Sequence, residues 1–383
     1  MAANTITAIT PDIYEALDIV SRELTGLIPA VSLSASADRA GKDQNIQVDI
    51  AQAVAGVDIT PAMTAPDPAA ETAAATTVQI TKERAFPFKL SGQDNKVLNT
   101  GVGYQNHRAG RIAQAIRAAV NEVETDLAGL QSTFGGAYGT AGTTPFGTAN
   151  DYTDASNALR MLKDRGGNVD AQLVLDTVAG ANFLGKQSAV NSAGTDSMLR
   201  QGVLLDLAGM PLRESGQIQQ GVTAGTGASA TTDNAGYAIG ATTITLASAG
   251  TGTIIAGDLV SFAGDPDKYM VATGDADVSG GGTIVLAIGL KQAIPASATA
   301  ITVSAASTRS MCFARSALVL ATRAPSMPEE GDQAEDAMII TDPRSGLSLE
   351  FAMYKGYKQV RYEVGVAWGV KNIKPEHSVL LLG

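Results

Sequence analysis

Between Tyr104 and Phe134 the apolar residues Ile112, Ile116, Val120, Val123, Leu127, Leu130 and Phe134 recur three or four positions apart. That is the period of an amphipathic helix. No proline interrupts the stretch and Gly135-Gly136 follows as a stop signal, so the pattern predicts one helix of about thirty residues, roughly 45 Å long. A helix of this length exceeds the usual span in a compact domain. Its charges run against the helix dipole: His107, Arg108, Arg111 and Arg117 lie in the amino-terminal half, whereas Glu122, Glu124 and Asp126 come later. Cations at the positive end of a dipole lose stability, so Arg108, Arg111 and Arg117 are candidates for contacts with another element or another subunit.

A shorter pattern of the same kind opens the chain. Thr10-Pro11 is a helix-start signal, Ile13, Leu17, Val20 and Leu24 mark one face, and Asp12, Glu15, Asp18 and Glu23 fall off it. This predicts an acidic amphipathic helix ending at Gly26, either solvated or docked on a basic partner.

From Asn45 the period changes to two. Ile46, Val48 and Ile50 alternate with polar residues, as do Val78 and Ile80 and then Phe86, Phe88 and Leu90, with a soft Ala/Pro/Thr segment between. Residues 40–100 therefore read as a long two-stranded excursion with a flexible tip. Such a ribbon is marginal in water and needs a surface, which a neighbouring copy could supply. An excursion folded entirely onto its own body would remove that requirement.

Beyond a Gly/Thr-rich linker, Asp151 to Arg165 is predicted helical with Ala155, Leu159 and Leu162 inward, residues 171–176 form a buried strand, and helical stretches follow near 177–188 and 195–205. Residues 150–210 thus make an α+β unit beside the long helix. At Gly221 the composition shifts. No arginine occurs between Arg213 and Arg309, lysine appears only at 268 and 291, and short Thr/Ile/Val runs alternate with glycine. ATTITLASA, GDLVSFAG, KYMVATG, GTIVLAI and TAITVSAA suggest a small antiparallel barrel or sandwich inserted at 221–308. After Met311, AMIITD, a turn at 342–346, LSLEFAMY and QVRYEVGVAWGV read as an antiparallel sheet.

Composition narrows the function. With 383 residues there is room for two or three folding units. One cysteine, Cys312, excludes an internal disulfide framework. No apolar run reaches membrane-span length and the amino terminus lacks signal-peptide regions, so a soluble protein made in a cytoplasm is expected. A formal charge of −11 argues against general affinity for nucleic acid, although a neutral or acidic wall suits a container for DNA.

Catalytic signatures are missing. His107 and His377 have no partnered nucleophile. Gly41-Lys42-Asp43 lacks the remainder of a phosphate loop, and Gly101-Val-Gly103 and Gly250-Thr-Gly252 lack the third glycine of the dinucleotide pattern. Asp265-Pro-Asp267 reads as a turn rather than a calcium loop, and Cys312 as an inert core thiol. No catalytic, cofactor or metal residue is assigned, and no enzyme activity is expected.

The chain resembles the major capsid (coat) proteins of tailed double-stranded-DNA bacteriophages, and among them the Salmonella podovirus coat protein subgroup. The likeness rests on the order of segments: an amino-terminal arm (1–39), an extended loop (40–100), a spine helix and linker (101–149), a peripheral unit leading into an axial unit (150–220), a β-rich insert (221–308) and a return to the core (309–383). It rests also on Trp368-Gly-Val-Lys-Asn-Ile-Lys-Pro-Glu376 and, inside the insert, on TTITL followed by GDLVSFAG. The resemblance implies an α+β fold of the Hong Kong ninety-seven capsid type with an inserted all-β barrel-like domain. It implies self-assembly into pentamers and hexamers of an icosahedral virion shell in the bacterial host cytoplasm, with scaffolding, portal and decoration proteins as partners. Double-stranded DNA is enclosed without sequence-specific binding, and neither a membrane nor a cofactor takes part. Asp12, Glu15 and Asp18 are the candidate contacts with scaffold or shell interior. The insert is short and poor in charge, which reduces any charged inter-subunit loop built there. A β-rich tail or cell-surface binding module is the competing reading; it calls for exposed aromatic residues, and the insert offers only Tyr237, Phe262 and Tyr269.

Overall fold

A computed structural model describes residues 25–49, 75–98, 104–148, 151–167, 169–186, 209–218, 221–329, 331–342 and 345–383. The amino-terminal acidic stretch, the excursion tip 50–74 and the helix expected near 195–205 lie outside these residues. The four described helices are α1 (Gly92–Leu98), α2 (Tyr104–Gly129), α3 (Thr153–Asp164) and α4 (Thr177–Lys186).

The long helix forms as its periodicity demands. Ile112, Ile116, Val120, Val123 and Leu127 are all buried on one face of α2, a 3-10 turn (Leu130–Thr133) ends it, and Phe134 is fully enclosed. That face packs on a six-stranded sheet made of β1 (Ser32–Ala40), β4 (Lys82–Ser91), β14 (Leu318–Pro325), β15 (Asp336–Thr341), β16 (Ser348–Gly356) and β17 (Gln359–Asn372). Strand β17 organises the sheet. One edge pairs with β4 from Gln359↔Ser91 to Trp368↔Lys82, and the other pairs with β16 along its first half and β14 along its second. The alternating residues Tyr362, Val364, Val366 and Trp368 point into the core beneath α2.

Two expectations for the first hundred residues need correction. Only β2 (Asn45–Asp49) and β3 (Ala75–Gln79) form a two-stranded ribbon, whereas β4 is an edge strand of the main sheet. Its Phe86, Phe88 and Leu90 do face one way as the alternation predicts, but toward their own subunit's core. Pro87 fits that edge position, since proline cannot serve a central ladder. The ribbon base also folds back: Val78 and Ile80 are buried against Ala40, Val319, Ala321 and Ala367 on the sheet face opposite α2. The second correction concerns the arm 1–39, whose end belongs to the core. Leu27, Ile28, Ala30 and Val31 are buried, and β1 runs parallel to β14.

The second sheet has the order β12-β9-β10-β5-β18-β13-β6-β7. Its core-side strands are β5 (Gly136–Tyr138), β6 (Ala171–Leu175), β7 (Leu212–Glu214), β13 (Arg309–Ala314) and β18 (Ser378–Leu382). Helices α3 and α4 cover it through Ala155, Leu159, Leu162, Ala179 and Phe183.

All five strands expected between 221 and 308 are present: β8 (Thr243–Leu246), β9 (Leu259–Phe262), β10 (Lys268–Thr273), β11 (Gly282–Leu286) and β12 (Ile301–Val303). Their pairings run β12-β9-β10-β11-β8. Residues 230–232 link the two ends of that series, since Thr232 bridges Leu246 and Thr231 bridges Ala300. Inside lie Ile244, Val260, Tyr269, Val271, Ile284 and Ile301. Val222 pairs with Ser307, so the segment leaves and rejoins the body at one place. It also continues the second sheet, because β10 pairs with β5 through Lys268↔Ala137 and Tyr269↔Gly136.

Candidate assembly surface

Helix α2 is fastened on both flanks by its late acids. Lys82 of β4 meets Asp126 at 2.8 Å and Glu122 at 3.3 Å, while Arg84 lies 3.4 Å from Glu122. Asp126 also accepts a 2.8 Å hydrogen bond from the Trp368 indole, and the Lys82 ammonium stands 5.7 Å above that ring. Half-exposed ion pairs alone contribute little. Here the cation also covers a buried tryptophan, so β4, α2 and β17 are tied at one point.

Glu124 serves the other flank. Its fully buried carboxylate accepts from the backbone N–H groups of Gly26 and Leu27 at 2.7 Å each, from that of Ile28 at 2.9 Å and from the Ser215 hydroxyl at 2.8 Å. Burial pushes its pKa above the ordinary glutamate range, and these donors act in the opposite direction. Gly26 is required at this clasp: a Cβ there would lie 2.5 Å from the Glu214 carbonyl oxygen.

The three arginines singled out for subunit contacts differ in environment. Arg108 is buried, Arg117 is half-buried, and Arg111 is exposed with neither a hydrogen bond nor an ion pair among the described residues. Burial sets Arg108 apart from the other two. Arg111 stands beside a groove of about 340 Å³ between β4 and α2, walled by Phe86, Phe88, Ala115 and Ala118. Asp12, Glu15 and Asp18 lie outside the described residues.

On the opposite sheet face, the ribbon base crosses the backbone of β17. A Cβ at position 369 would fall 1.9 Å from the Gln79 carbonyl oxygen, so Gly369 admits this crossing. Beside it the Lys371 ammonium donates to the Thr77 carbonyl at 2.8 Å and the Thr76 hydroxyl at 3.2 Å. Outward from there Asn45, Gln47 and Thr77 are exposed, whereas Ile46 and Val48 are only half-covered.

The insert presents no aromatic contact face among the described residues. Phe262 and Tyr269 are core residues, and Tyr237 is half-buried with its hydroxyl donating to Asp233. Asp265 and Asp267 form the expected turn: Asp265 accepts from the Asp267 N–H at 2.9 Å and from the Tyr269 hydroxyl at 2.7 Å. Cys312 is wholly buried, and burial raises its thiol pKa to about 12. Among the described residues no group of three His, Cys, Asp or Glu side chains is arranged to hold a metal.

Glu124, Gly369 and the Lys82–Asp126–Trp368 contact escaped the sequence analysis. A carboxylate among charges that oppose the dipole was the available signal for Glu124. Nothing local distinguishes Gly369 from the other glycines, because its partner is 290 residues earlier in the chain.

No family model matches the chain, and no curated protein matches it. Solved structures do match over almost its whole length. A Mycobacterium phage Che8 structure aligns at 13% identity with a TM-score of 0.45, covering 95% of this chain and 93% of that one. The capsid of cyanophage P-SCSP1u aligns at 10% identity with a TM-score of 0.48, covering 95% and 90%. A virus-like particle from Pyrococcus furiosus aligns at 10% identity with a TM-score of 0.41, covering 97% and 96%.

Proposed function

We propose that this chain is a major capsid protein, many copies of which assemble into the icosahedral shell of a tailed bacteriophage around its double-stranded DNA. The observation that carries the reading is the ribbon. Its base is fixed over Gly369, yet β2 and β3 continue outward with Ile46 and Val48 half-covered, and the chain between them runs on through residues 50–74. A two-stranded ribbon needs company to be stable, and sister subunits are the partner that a self-assembling protein always has. The burial of Phe262 and Tyr269 disfavours the binding-module alternative.

On this reading the subunits form pentamers and hexamers. Residues 221–308 are the inserted barrel of the Salmonella podovirus subgroup, with the role of stabilising the subunit. Arg111 and Arg117 contribute subunit contacts, and Asp12, Glu15 and Asp18 face scaffold or shell interior. Scaffolding, portal and decoration proteins are the expected partners, and assembly takes place in the host cytoplasm. The balance of −11 keeps packaged DNA from adhering to the wall.

Size-exclusion chromatography and negative-stain microscopy of purified protein, with and without a scaffold candidate, test the reading. Shells or capsomers are expected. Monomers or trimers that stay dispersed under both conditions would refute it.

A further inference from the structure

Arg165 caps the carboxyl end of α3 and sends its guanidinium across β5 toward the insert. The side chain is 1% exposed. It passes over Gly136, where a Cβ would lie 2.7 Å from Nη2 and 2.8 Å from Nη1. Both nitrogens are buried and make no hydrogen bond among the described residues. Burying a guanidinium is costly unless acceptors meet it. The carboxylate within reach is that of Asp267, 3.9 Å away in the turn between β9 and β10. Burial lowers the Arg165 pKa, and Asp267 heads the groups that act against it.

Asp267 is unmatched in the same way. Its neighbour Asp265 accepts from the Asp267 N–H and the Tyr269 hydroxyl, whereas the Asp267 carboxylate accepts no hydrogen bond among the described residues. We propose that Arg165 and Asp267 form a latch that seats the insert on the body, open in this structure and closed when the turn moves about 1 Å toward α3, to the length of a charge-assisted hydrogen bond. The rest of the junction permits so small a movement. The insert meets the body at the Val222↔Ser307 bridge, next to Gly221 at φ +62°, and its sheet joins β5 through Lys268↔Ala137 and Tyr269↔Gly136. Residues 221–308 contain no arginine, so the body supplies both guanidinium groups that reach them. Arg309 already donates to the Gly257 carbonyl at 2.9 Å; Arg165 is the anchor still to be made.

Hydrogen exchange of the full-length chain, read by mass spectrometry over residues 134–139 and 266–272, tests the latch. Asp267→Asn keeps the backbone N–H that closes the turn and removes the charge, so exchange in both segments should rise about tenfold as the seam opens more often. Asp267→Glu, one methylene longer, should reach Arg165 without movement of the turn and slow the exchange. In an Arg165→Met chain, adding Asp267→Asn should change nothing further. The control Asp164→Asn, which alters an exposed carboxylate beside Arg165, should leave the seam as it is. Unchanged exchange in Asp267→Asn, an equal rise in Asp164→Asn, or an undiminished effect of Asp267→Asn in the Arg165→Met chain would overturn the proposal. Should Arg165→Met fail to fold, the asparagine and glutamate variants decide alone: opposite directions support the latch, and the same direction overturns it.

Discussion

Residues 221–308 and the β2–β3 ribbon are secured by opposite means. Residues 230–303 carry their own apolar cluster and close their hydrogen bonds round a ring. The ribbon has no such interior: Val78 and Ile80 are buried by residues of β14 and β17, and the strap at 26–28 depends on one carboxylate of α2. A segment with its own core tolerates change around it, whereas one that borrows a core is only as firm as a few contacts.

Four measurements would break or sharpen this contrast, beginning with the largest expected effect. Gly369→Val drives a side chain into the Gln79 carbonyl, so the ribbon base must lift. A loss above about 4 kcal/mol, the range of severe core lesions, is expected in chemical denaturation, with proteolysis opening at the ribbon before the insert. Simultaneous cleavage of both would contradict the distinction.

Glu124→Ala removes the carboxylate that accepts from the backbone N–H groups of Gly26, Leu27 and Ile28 and leaves these buried donors without it. The expected cost is about 3–5 kcal/mol, with accelerated hydrogen exchange at 26–31. Glu124→Gln should cost less and change the pH dependence. The folded-state pKa of Glu124 is raised by burial, so its contribution to stability is fully present below the unfolded value and declines as pH rises through the folded one. The glutamine variant should lack that decline. A wild-type stability that instead rises with pH over that window, relative to the variant, would show that the donors outweigh burial.

Ile284→Ala hollows the insert's cluster, where Ile284 is fully buried, and about 2–4 kcal/mol should be lost. Because β10 pairs with β5, and Arg309 donates to the Gly257 carbonyl at 2.9 Å, calorimetry should show one transition at lower temperature. A separate early transition would mean that the insert melts independently. The smallest effect is expected for Tyr269→Phe. It removes the hydroxyl that donates to Asp265 and accepts from the Lys291 N–H at 2.9 Å, at a cost of about 1–2 kcal/mol read in the same scan.

Much of the secondary structure was legible in local pattern. The stripe of α2, the five short strands of the insert, and the alternation in β15, β16 and β17 each arise from residues close in sequence. The strands that went unread have another character. Residues 378–382 form β18, a fully buried strand between β5 and β13, and an uninterrupted apolar run carries no period to identify it. Strand β1 was missed for the converse reason: SLSASADRA has little apolar content, and its order derives from parallel pairing with β14, nearly 290 residues away. For the candidate surface, the sequence marked Arg108, Arg111 and Arg117 as a group. Only packing separates them, by burying Arg108 and leaving Arg111 open beside Phe86 and Phe88.

By itself, the order of residues determined that a long one-sided helix and a low-charge β-rich segment would form, because periodicity, turn residues and composition act over a few neighbours. Tertiary structure decided what each would lie against. It made β4 an edge of the main sheet, brought Glu124 under three backbone amides and laid Gln79 across Gly369. Those outcomes depend on contacts between positions tens to hundreds of residues apart. They form only where burial of shared apolar surface offsets the entropy of bringing distant segments together.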